Sequence, residues 1–256
     1  MTSTPVQAPP AGAVRDLVAA RAPRRRFVRQ LLVSGAWFWG VWAVFVAGVP
    51  AAIDRWGGDM VGLTYELAGA PARWVALAVG AVVTDGVLRL HLAAGGTRRS
   101  LVTGATTGAA LVGPLFGVMA VLLTLGEERV FDGLDRPWPG GATPLPLESV
   151  TNVVVTVAGE SLVVVTYTLV GVAAVAAVAL ARTRLLMFGA VLFPALLIPC
   201  VLADLATRTG IFATALRGGY HDVVLGIVGT LGGGLLAAAL AVLLARRLLH
   251  HVQLRP

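Results

Sequence analysis

The chain contains no lysine, so all of its formal positive charge comes from arginine. A phosphate-binding loop of the GxxxxGK[ST] type needs a lysine to reach the phosphates, which excludes that route to ATP hydrolysis. A single cysteine, Cys200, stands inside an apolar run. One cysteine makes no disulfide framework within a chain and no cysteine-rich metal site. Only four histidines occur, scattered or near the C-terminus, and HExxH is absent. A zinc site is therefore not expected, nor any cofactor. Charge itself is scarce: 13% of the 256 residues are charged, against roughly 25% in soluble domains.

What remains is apolar. Hydrophobic residues make up 57% of the chain and the mean hydropathy is +0.84. The net charge of +7 would suit nucleic acid, but the arginines cluster at the ends of apolar segments and form no single patch. No nucleic-acid partner is expected. These features describe an integral membrane protein.

Residues 1–12 are rich in Pro, Ala and Thr and read as a disordered tail. Residues 13–256 read as one transmembrane domain. In residues 13–30, Val14, Leu17, Val18, Phe27 and Val28 alternate with Arg15, Arg21, Arg24, Arg25, Arg26 and Arg29, and Pro23 should interrupt a helix. The segment suits either a basic amphipathic helix lying along the membrane surface or a plain positive anchor ahead of the first span. The apolar run after it is too long for a signal peptide.

Six spans are predicted, over roughly 31–53, 74–94, 101–125, 161–181, 185–205 and 223–245. A span of about 23 residues at 1.5 Å rise crosses a hydrocarbon core of roughly 30 Å. The third carries Gly104, Gly108, Gly113 and Gly117, small surfaces for close helix packing. Residues 126–149 read as the longest exterior loop. Residues 151–160 precede the fourth span as a partial helix or strand-like piece. Pro194 and Pro199 should bend the fifth span. The fold expected is all-α: a polytopic membrane protein of six transmembrane helices with an interfacial amphipathic helix at its N-terminus.

Short arginine-rich loops stay on the cytoplasmic side. The arginines at 15–29, 89, 98–99, 182–184 and 246–255 fall on one side, against Arg55, Arg73, Arg129, Arg136, Arg208 and Arg217 on the other. The expected topology is multi-pass in the cell membrane, with both termini cytoplasmic. Intramembrane charges are functional-site candidates. Asp85 and Arg89, at i and i+4, share a helix face and can neutralise each other. Glu160 should sit near the outer interface. The Gly159-Glu160-Ser161 tripeptide does not match GxSxG and has no histidine placed to serve it, so no enzymatic role is expected.

The stretch from Gly95 to Gly104, GGTRRSLVTG, joins spans two and three. It resembles the cytoplasmic loop of permease subunits of ATP-binding-cassette transporters of the second exporter type. The matching positions are Gly95, Thr97, Arg98, Arg99 and Gly104, and Tyr65–Trp74 is similar to the entry to the second span in that family. The resemblance implies an ATPase-coupling loop at Gly95, Gly96, Thr97, Arg98, Arg99 and Ser100. It also implies an interfacial connecting helix at 13–30, a separate ATPase subunit as partner, and a second permease subunit, identical or not, in the lipid bilayer. The Asp85/Arg89 pair has no counterpart in it. The alternative is a membrane protein with no transport role: an assembly, sensor or immunity factor.

Overall fold

The computed structural model describes residues 16–57, 63–64, 69–138, 145, 147, 149–181, 192–209 and 223–252. The expected tail at 1–12, the start of the fifth span and most of the segment 207–222 lie outside them. The described residues form helices and no strands. In a bilayer this is the economical solution, because each backbone N–H finds its acceptor within its own segment.

The helices are α1 (Arg21–Trp56), α2 (Gly69–Ala93), α3 (Arg98–Gly133), α4 (Val150–Ala181), α5 (Phe193–Thr207) and α6 (Val223–His251). All but α5 are long and apolar enough to cross a membrane. At 15 residues, α5 spans about 22 Å. The protein is an all-α, polytopic membrane protein.

Burial ranks the helices. In α4, 72% of the most apolar window is buried, against 17% in α1. The central helix α4 packs on α2, α3, α5 and α6, while α1 lies outside against α2 and α3. Large apolar side chains cover the perimeter, among them Trp37, Val44, Val82, Leu90 and Val228, all more than 60% exposed. Such a surface is stable only against lipid or another apolar partner.

Two glycine pairs on α3 receive two different helices. A Cβ at Gly104 would lie 2.8 Å from the Ala20 carbonyl oxygen, and one at Gly108 would lie 2.9 Å from the Phe27 Cβ, both at the start of α1. At Gly113 and Gly117 it would meet the carbonyl oxygens of Ser161 and Val157 on α4, at 2.9 and 2.6 Å. Small residues at these points let backbones approach directly.

Several boundaries differ from expectation, each for a physical reason. From Arg21 onward the basic lead-in runs unbroken into the first span, and residues 16–19 add a helical turn before it. Pro23 lies in the first turn of α1, where an N–H has no intrahelical acceptor and a proline breaks nothing. Residues 151–160, expected as a partial helix or a strand-like piece, are the helical first part of one continuous α4. Pro194 opens α5 instead of bending it, while Pro199 lies inside the helix.

The third span does not end at Leu125. Its buried face continues through Ala120, Thr124, Glu127 and Phe131, at helical spacing. Glu127 is 1% exposed. Its two carboxylate oxygens accept the backbone N–H groups of Leu63 and Thr64, the latter at 3.0 Å. The acids that make 126–133 look like a loop thus belong to a helix whose one inward charge is satisfied by backbone.

Candidate functional site

The most charged place inside the bundle is built around Arg73, the fifth residue of α2, which is 1% exposed. Its Nη1 donates to Asp204 on α5 and, at 2.7 Å, to the carbonyl oxygen of Thr209. Its Nη2 donates to Glu160 on α4, at 3.1 Å to Oε1, and to the Thr209 hydroxyl. The Tyr167 hydroxyl donates to the same Asp204 oxygen at 3.1 Å. Glu160 and Tyr167 are seven residues apart, two helical turns, so α4 presents both on one face.

Thr209 reaches the site because α5 stops abruptly. Arg208 caps the helix with φ 50°, in the left-handed region. That turn brings the hydroxyl and carbonyl of Thr209 back toward Arg73. The Thr209 hydroxyl also lies 3.2 Å from Glu160 and 2.8 Å from the Thr207 hydroxyl.

One guanidinium therefore stands between two carboxylates, with its end nitrogens fully engaged. Removing such ions from water costs several kcal/mol each, offset only where hydrogen bonds replace the lost hydration. Beside the cluster is a cavity of about 20 Å³, lined in part by Trp39, Thr64, Arg73 and Glu160. Trp39 Nε1, Thr64 Oγ1 and Arg73 Nε are buried there without a protein partner. The space suits one water molecule, which typically makes about three hydrogen bonds. Chemically, the arrangement ties α2, α4 and α5 together at one end of the bundle.

The opposite end of α2 leads into the tight turn that joins it to α3. Gly95 has φ 81°, a conformation open to glycine and strained for other residues. Thr97 then caps α3: its hydroxyl accepts the Ser100 N–H and the Ser100 hydroxyl accepts the Thr97 N–H, each at 3.0 Å. This is a reciprocal capping box. His91 Nε2 lies 2.8 Å from the Ser100 hydroxyl, fixing the end of α2 to the start of α3. The Thr97 hydroxyl donates to Asp16 at 2.9 Å, before α1. Arg98 donates to the Val252 carbonyl at 2.6 Å and to that of His250 at 3.4 Å, at the end of α6.

The residues expected in the loop are thus brought together but divided in role. Ser100 is buried and Arg98 is half-buried and holds α6, whereas Gly95, Thr97 and Arg99 face outward. Asp85 and Arg89 do not neutralise each other: both are exposed, and no ion pair joins them within 4.0 Å. The face of α2 that packs inward carries Ala76, Val79, Val83, Val87 and Leu88, which leaves positions 85 and 89 on the perimeter. Glu160, expected near the outer interface, is 13% exposed and belongs to the Arg73 cluster. The Ser161 hydroxyl donates to the Val157 carbonyl of its own helix at 2.6 Å.

Arg73, Asp204, Tyr167 and Thr209 were not anticipated as site residues. A signal was present: Arg73, Glu160 and Asp204 are opposite charges, each at the end of an expected span and on the same side in the expected topology. Among the described residues, no group of three or more His, Cys, Asp or Glu is placed to hold a metal ion. No family model, curated protein or solved structure matches the chain.

Proposed function

We propose that this chain is the membrane-spanning permease subunit of an ATP-binding-cassette exporter in the cell membrane. It works with a second permease subunit and draws energy from a separate ATPase subunit. The termini and the turn at 94–97 face the cytoplasm. The observation that carries this reading is the construction of the turn. It is short and exposed; Thr97 ties it to the segment before α1, and the helix ends beside it are tied to each other by His91 and Ser100 and to the end of α6 by Arg98.

A partner gripping such a turn moves helices instead of deforming a loop. The lever is α2, clamped at its far end by the Arg73 cluster. From Arg73 to Ala93 it measures about 30 Å at 1.5 Å per residue, the thickness of the hydrocarbon core. A tilt imposed at the turn therefore reaches α4 and α5 on the other side.

Affinity purification of the chain from its native membrane should recover an ATPase chain. Arg99→Glu should release it while leaving the melting temperature unchanged. Recovery of no ATPase, or retention by the Arg99→Glu variant, would count against docking at this turn.

A further inference from the structure

We infer that the chain carries a binding site for one anionic phospholipid in the groove between α1 and α2. The groove has a volume of about 760 Å³, within the roughly 300–1,000 Å³ of ligand pockets. Its walls are almost wholly apolar: Trp37, Phe38, Val41 and Trp42 of α1 face Val75 and Val82 of α2. It opens sideways, where a bilayer would lie. Toward the start of α1 it runs into a second hollow lined by Arg21, Arg25, Arg26 and Arg29, the two sharing Gln30 and Val33.

The charge pattern identifies the occupant. Arg21, Arg25 and Arg29 recur at i, i+4 and i+8, so their guanidinium groups lie above one another on one helix face and repel. All three are exposed, and no carboxylate among the described residues pairs with any of the four arginines within 4.0 Å. A row of unpaired guanidinium groups attracts a phosphate, which accepts their N–H bonds in bidentate fashion. Below the row, Gln30 and Ser34 are the polar side chains of the groove wall, the Gln30 amide donating to the Ser34 hydroxyl at 3.5 Å.

Length fits as well. From Arg29 to Trp42 the helix rises about 20 Å. One leaflet contributes roughly 15 Å of hydrocarbon. The groove therefore spans a single leaflet, with its charged end at the head-group boundary and its aromatic floor at mid-membrane. A phospholipid seated there puts its phosphate on Arg25 and Arg29 and one acyl chain along Trp37 and Val41. The arginine hollow is lined by α1 alone, and a basic cluster flanking a span attracts acidic head groups by its charge. The site requires only that the chain sits in a bilayer.

Delipidated protein in detergent, titrated with palmitoyl-oleoyl phosphatidylglycerol and followed by native mass spectrometry, tests it. One lipid should stay bound per chain, at least tenfold more tightly than phosphatidylcholine with the same acyl chains. Arg25→Gln with Arg29→Gln should abolish that preference while leaving weak binding of both lipids. Ala78→Trp, which fills the groove from an exposed position, should remove binding of both. Equal retention of the two lipids by the unaltered chain, or a preference that survives loss of Arg25 and Arg29, overturns the site. So does disulfide cross-linking of Trp37→Cys to itself in lipid-free protein, because a second copy would then cover the groove.

Discussion

Arg73 donates to Asp204 across 131 positions of sequence, and both side chains are sealed from the surface. Among the described residues it is the ion pair that joins α2 to α5. It holds with Glu160 as a third member, so its parts are not independent. Replacing Arg73 alone by Met strands two carboxylates inside the bundle and should cost about 3–5 kcal/mol. The triple variant Arg73→Met, Glu160→Gln, Asp204→Asn removes every charge and should lose markedly less. Thermal unfolding in detergent measures both; a single variant as stable as the unaltered chain would sink this account.

The reciprocal contact of Gly80 and Gly171 brings α2 and α4 together backbone to backbone. A Cβ at Gly80 would collide with the Thr168 carbonyl oxygen, and one at Gly171 with that of Leu77. Neither obstacle is a flexible side-chain tip. Gly80→Ala should therefore destabilise by about 1–3 kcal/mol, the usual cost of overpacking. Gly48→Ala, with no heavy atom within 4 Å of its new Cβ, should gain up to about 1 kcal/mol from helix propensity. Opposite signs in the two melting-temperature shifts are the outcome to look for.

Glu127 anchors the segment at Leu63 and Thr64 to α3 through two backbone N–H groups. Gln at this position keeps the shape but turns one acceptor into a donor facing another donor. Glu127→Gln should cost about 1–3 kcal/mol. Arg129→Gln, two residues on and 85% exposed, should leave stability unchanged. Faster amide exchange at Leu63 and Thr64 in the first variant alone is the local signature.

Ser100 serves both the Thr97 N–H and the His91 ring. Ser100→Ala should cost about 1 kcal/mol through the lost hydrogen bond from the Thr97 N–H, the Thr97 cap on the backbone N–H of residue 100 remaining, and should leave a buried imidazole nitrogen without its partner. Amides at the start of α3 should exchange faster, with those in α4 unaffected. Uniform exchange along α3 and α4 would contradict a local role.

Most of the architecture was legible because hydrophobic runs report membrane crossing directly. The four glycines of α3 were also legible as packing surfaces, since small residues in a span have few other uses. The end of α3 was not, because Glu127, Glu128 and Arg129 look like a loop until the partners of Glu127 are known. The turn was found through its glycines and arginines, yet nothing local told Arg98 from Arg99.

The sequence alone determined the oily segments and their number. These follow from the cost of burying polar backbone and charge in hydrocarbon, which each segment meets by itself. Only the tertiary structure decided that Arg73, Glu160 and Asp204 meet, that Arg98 turns toward α6, and that Asp85 and Arg89 stay apart on the perimeter. A side chain's partner depends on which helix lies across from it, and that is settled by packing between segments far apart in the chain.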